Sequence, residues 1–194
     1  MQTSPTANQL QGRSIGATFF ACFGAFWILL ALYIKEVMNV GSVTWLAMIL
    51  LVLLTTAVWL YRQASRFPKT PEDPARGRTF MRINAIQWIA VSIVAFSFAR
   101  LHLDAFVMCA ITAIVGLHLF PLARLFRYPM HYVTGSALVT WAALSSSLVP
   151  VEHLQGISAM GTGIILIVSA WTTLILAATA VRRTATSDSW VSAA

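Results

Sequence analysis

Six stretches of this 194-residue chain run free of charged residues for long enough to cross a bilayer, and no other feature limits its fold as strongly. They lie at approximately residues 14–34, 40–61, 83–99, 105–123, 132–150 and 157–180. Crossing about 30 Å of hydrocarbon at ~1.5 Å per helical residue takes roughly 20 residues. The third stretch is bounded tightly by Arg82 and Arg100, whose long side chains can snorkel to the interface. Composition agrees: 10% of the residues are charged, against roughly 25% in soluble proteins. The expected fold is therefore all-α, a polytopic six-transmembrane-helix bundle.

Charge placement supplies an orientation. Arg13, Arg62, Arg66, Lys69, Arg76, Arg78, Arg82, Arg124, Arg127, Arg182 and Arg183 fall in connections of one side, leaving Lys35 and Arg100 for the other. Eleven against two places both termini in the cytoplasm, since basic connections stay inside. The net charge of +7 is thus a topology signal; the basic residues form no soluble face for nucleic acid. The reading divides the chain into a disordered polar tail at 1–12, one membrane domain at 13–183 and a short tail at 184–194. The first span lacks a small-residue cleavage site and is expected to be retained. A compact, Ala-rich, nearly loopless chain suits a bacterial inner membrane.

The connection at 62–82 carries prolines at 68, 71 and 74 and six basic residues against Glu72 and Asp73. Such a segment favours extended backbone and is drawn to anionic lipid headgroups. The other side has only short links, which make neighbouring helices antiparallel. There Glu36, Arg100, His102, Asp104, Glu152 and His153 form a screened, solvated rim. Trp45, Trp59 and Trp88 sit near span ends, at headgroup level.

Lipid gives helices no hydrophobic reason to associate, so small residues mark the expected packing faces. These are Ala17, Ala21, Gly24 and Ala25 on the first span, Gly135, Ser136 and Thr140 on the fifth, and Ala159 and Gly163 on the sixth. Cys22 and Cys109 lack redox or zinc spacing and are read as packing residues.

The stretch GLHLFPLARLF, 116–126, is the chief functional candidate. Pro121 cannot donate to the Leu117 carbonyl, so the fourth span should kink there. If spans three and four turn near residue 102, Asn84 and Gln87 fall level with Phe120 and His118. The candidate substrate-binding or proton-handling group is therefore Asn84, Gln87, His118 and Arg124. The competing reading is ordinary interhelical hydrogen bonding, worth about 0.6 kcal/mol per bond. His118 has the one side chain at membrane depth that ionises near neutrality, with an ordinary pKa of about 6.5.

No catalytic triad, phosphate loop, metal-ligand set or cofactor motif is legible, and the membrane centre has no Asp or Glu. Two functions lead, with an intramembrane enzyme a distant third. One is a small-solute or proton-linked transporter or channel; the other is a non-catalytic subunit, sensor or assembly module whose polar groups only support packing. A homo-oligomer or a membrane partner fits either.

Overall fold

The structure is a computed structural model that describes residues 6–69, 71 and 74–191, with side chains described through residue 183. Six helices follow one another: α1 (Ala7–Ile34), α2 (Val40–Gln63), α3 (Pro74–Arg100), α4 (Val107–Phe126), α5 (Met130–Leu148) and α6 (Val151–Val191). Among the described residues there is no strand. Helices suit this composition because each pairs its own backbone groups, which lipid cannot do.

Among the described residues, five helical segments are long and apolar enough to cross a membrane: Ala7–Ile34, Val40–Arg66, Pro74–Arg100, Asp104–Phe126 and Val151–Arg183. The sequence reading counts six, and α5 is the difference. It carries Thr134, Ser136, Thr140, Ser145, Ser146 and Ser147, and those hydroxyls with His131 and Tyr132 dilute its apolarity. The apolar helices suggest a membrane protein.

Boundaries follow local chemistry. Thr6 and Gln9 form a reciprocal capping box at the start of α1, each side chain accepting the other's backbone N–H at 3.4 Å. The Ala7 N–H donates to the Pro68 carbonyl at 3.0 Å, tying this end to the connection after α2. Residues 7–12, assigned by sequence to a disordered tail, are thus the first turns of α1, with Ala7 and Leu10 fully buried. At the other end α6 continues to Val191, through most of the expected tail at 184–194. Asn39 and Ser42 repeat the capping box on α2.

Helices α1, α3 and α4 end alike, on left-handed residues Glu36, His102 and Arg127. In each case the next N–H reaches back five residues, as from Tyr128 to the Ala123 carbonyl at 3.0 Å. This closure satisfies carbonyls the helix end would leave open, at a cost of about 1–2 kcal/mol for a residue with a Cβ.

The core is built where small residues let backbones meet. Helices α1 and α6 form the most extensive pair, followed by α4 and α5. A Cβ on Gly163 would lie 2.7 Å from the Gly24 carbonyl oxygen, and one on Gly135 would lie 2.7 Å from that of Gly116. Glycine costs about 1 kcal/mol relative to alanine inside a helix; at these two crossings it removes a backbone collision. Ala17, Ala21, Ala25 and Ala159 are buried as expected. Gly135 is buried as expected, whereas Ser136 and Thr140 are exposed and α5 turns Thr134 and Ser145 inward in their place. Cys109 is buried, whereas Cys22 is exposed.

Candidate functional site

Helix α4 runs on through Pro121, which is exposed on its outer side, and continues to Phe126. Three residues earlier His118 points inward. Neither its Nδ1 nor its Nε2 has a hydrogen-bond partner, although both atoms are buried. His131, in the first turn of α5, lies within electrostatic reach of His118, with no hydrogen bond or ring contact between them, and its Nδ1 is likewise buried and unpartnered. The turn at Arg127 folds α5 back along α4, so the two imidazoles stand on adjacent helices.

Aromatic rings enclose His131. Its ring meets Tyr128 edge-on at 5.2 Å, Phe20 of α1 at 5.7 Å and Phe126 at 6.4 Å. Tyr128 carries the enclosure further: its hydroxyl donates to Thr173 Oγ1 of α6 at 3.3 Å, and the Arg13 guanidinium lies 5.1 Å from its ring centre. Arg13, the Ala7–Pro68 contact and the α4–α5 turn thereby share one end of the bundle. Lys35 lies over Gly156, and Gln155 donates to the Asp104 carbonyl at 2.8 Å, at the other end.

Between these ends α6 presents four buried hydroxyls on one face: Ser158, Thr162, Ser169 and Thr173. Thr162 meets Thr112 of α4 at 2.7 Å, and Ser169 accepts from Thr134 of α5 at 2.9 Å. Cys109 and Ser145 pair α4 with α5 at 3.4 Å, while Trp141 donates through Nε1 to the Ser158 carbonyl at 3.1 Å. The sequence reading missed this ladder. Its signal is the repeated Ser-x-x-x-Thr at 158–162 and 169–173, which places each pair on one helix face.

The four residues singled out from sequence are not one hydrogen-bonded group. The Asn84 amide donates to the Phe80 carbonyl of its own helix at 2.9 Å. Asn84 and Gln87 are half-buried on α3, and neither bonds to His118, whose ring nitrogens have no partner. The antiparallel register of α3 and α4 is nevertheless close to that expected, since Phe80 meets Phe126 at 5.7 Å. Arg124 is exposed in the last turn of α4. The residue within electrostatic reach of His118 is His131; the same hairpin rule, applied to the second turn near residue 128, sets His118 level with Leu138 and would not have found it.

Among the described residues no three His, Cys, Asp or Glu side chains gather as a metal site. Two open surface grooves, of about 320 and 110 Å³, lie along α2 and between α1 and α2, and neither is lined by His118 or His131. The outer rim of Glu36, Arg100, His102, Asp104, Glu152 and His153 is exposed throughout. Protein-family models, curated proteins and solved structures were compared with the chain, and none of them matches.

Proposed function

We propose that the chain is a six-crossing protein of a bacterial inner membrane, with its termini and basic connections in the cytoplasm, that carries protons or a small polar solute by way of His118. The observation that carries this reading is the pair of buried, unpartnered nitrogens on His118, with a third on His131. A neutral imidazole holds one N–H donor and one acceptor lone pair, and leaving such a group unmet costs about 1–3 kcal/mol. A leucine would fill the same space without that cost. Ionisable groups at membrane depth are for this reason functional candidates by default.

The chemistry needs only this ring. A neutral imidazole accepts a proton on its free nitrogen, then releases the proton held on the other. Arg124, exposed at the end of α4, would stand at the approach, with Asn84 and Gln87 on α3 bordering it. The exposed Arg62, Arg66, Lys69, Arg76, Arg78 and Arg82 would anchor the connection at 62–82 to anionic headgroups.

Flux into liposomes tests the reading directly. Purified chain is reconstituted with a trapped pH-sensitive dye, and a potassium diffusion potential drives protons. Flux above that of empty vesicles is expected, with His118→Ala reducing it about a hundredfold, the lower end of the range for losing a positioned proton-transfer group. Equal flux in the variant and the parent, or none above bare lipid, rejects the reading.

One observation favours the second reading, a non-catalytic membrane subunit. Helix α3 has no buried residue and packs on α4 alone among the long helices, so the face turned away from α4 is available to a neighbour. That reading expects α3 substitutions to reduce recovery of a partner and leave any flux unchanged.

A further inference from the structure

We infer that Tyr128 closes the basic end of the bundle over His131 and His118, with Arg13 and Thr173 holding it in place. The inference rests on the reading of the two imidazoles as the working groups and adds how they are reached. Tyr128 occupies the three-residue turn between α4 and α5, set between the left-handed Arg127 and Pro129. One edge of its ring abuts His131 at 5.2 Å, and Phe20 and Phe126 complete the wall around that imidazole.

Two further helices hold the ring. The Tyr128 hydroxyl reaches α6 at Thr173, and the Arg13 guanidinium of α1 lies over the ring at 5.1 Å. Four elements thus meet at one side chain: α1, the α4–α5 turn, the first turn of α5, and α6. Tyrosine suits the position because its apolar body covers the His131 ring while its polar tip remains bonded. Arginine suits the other side because its planar cation stacks on an aromatic face. Neither contact is covalent or deeply charged, so a change of the Tyr128 rotamer alone would open a path from this end to His131.

Histidine carbethoxylation tests the closure without reading any flux. The full chain in detergent is treated with diethyl pyrocarbonate, and each histidine is followed by mass spectrometry. His102 and His153, exposed near the opposite end, are internal standards that should react readily in every variant. In the parent, His131 and His118 should react at least tenfold more slowly than these, a separation that defines a closed site. Tyr128→Ala should raise the His131 rate about tenfold, with His118 following, while Arg13→Gln and Thr173→Val should each raise it roughly threefold, in keeping with the modest strength of one cation–π contact or one hydrogen bond.

The inference is overturned if His131 already reacts in the parent at the rate of His102, or if Tyr128→Ala and Arg13→Gln both leave it protected. Should Tyr128→Ala elute as unfolded protein, Arg13→Gln decides, and an unchanged rate again overturns the closure. A chain without proton flux can still show the protected histidine, so this failure and that of the transport reading are separable.

Discussion

Helices α3 and α6 are both apolar enough to cross a membrane, yet in the most apolar window of each, none of α3 is buried and 39% of α6 is. Mean hydropathy is higher in α6, 2.3 against 1.4, but it does not set burial, since α2 also reaches 2.3 with 22% buried. The inward face of α6 combines the small and hydroxyl residues Gly156, Ser158, Ala159, Thr162, Gly163, Ser169, Ala170 and Thr173 with Leu154, Leu166, Ile167, Leu174 and Ala177. The exposed face of α3 carries Ile86, Trp88, Ile89, Ile93 and Phe96. In lipid, apolar side chains settle whether a helix inserts, because the surrounding tails are as apolar as leucine. Close backbone approach and interhelical hydrogen bonds then settle which helices pack. Helix α3 has the first property and little of the second, so it flanks the bundle through α4.

The strongest way to break this contrast is to put bulk at a glycine crossing. A Cβ on Gly163 would meet the Gly24 carbonyl oxygen at 2.7 Å and the Ile28 backbone nitrogen at 2.9 Å, and neither atom can move without its helix. Gly163→Val should therefore destabilise the fold by about 3 kcal/mol, the upper part of the range for overpacking. Ile93→Ala on α3 should cost under about 0.5 kcal/mol, as expected for a substitution away from packed features. Unfolding in mixed micelles, followed by circular dichroism, measures both. Similar losses at the two positions would mean that α3 is packed after all.

A smaller effect is expected along the hydroxyl ladder. Thr112 and Thr162 meet at 2.7 Å, while each also donates to a carbonyl of its own helix at 2.8 Å. Two hydroxyl protons serve three contacts, so the pair can hold only part of its apparent hydrogen bonding at once. A double-mutant cycle with Thr112→Val and Thr162→Val should give a coupling near 0.6 kcal/mol, the average for such bonds in membranes, and under about 1.7. A larger coupling would mean that the hydroxyls, more than the glycines, hold α6 against α4.

The sequence carried the helical class and the division of charge between the two ends, because uncharged length and basic connections are properties of contiguous segments. It also carried the close-packed glycines at 24, 135 and 163, since glycine has few other reasons to stand in a membrane helix. The facing direction of polar groups was not legible in the same way. Depth along α3 and α4 was close to right, but depth does not fix rotation about the helix axis, and Asn84 turned to its own Phe80 carbonyl. His131 is no more legible, because the turn near residue 128 sets His118 level with Leu138, and only the inward rotation of both imidazoles puts them within electrostatic reach. The start of α1 was hidden for a different reason. Its first turns are polar and become helical through Thr6 and Gln9 and through contact with Pro68, a residue sixty positions away.

The smallest effect belongs to Asn84, and it sharpens the contrast from the α3 side. Its amide donor is already met within α3, so replacing it with leucine removes a local bond and leaves no partner helix unpaired. Asn84→Leu should change stability by less than about 0.5 kcal/mol and leave the carbethoxylation rate of His118 at the parental value. A two-component outcome is informative here, because stability and His118 reactivity report on different links. If stability falls by more than about 1 kcal/mol, the amide is bonding across to another helix, as intramembrane amides can. If the His118 rate alone changes, Asn84 borders the path to the imidazole, and α3 belongs with the working half of the molecule despite having no buried residue.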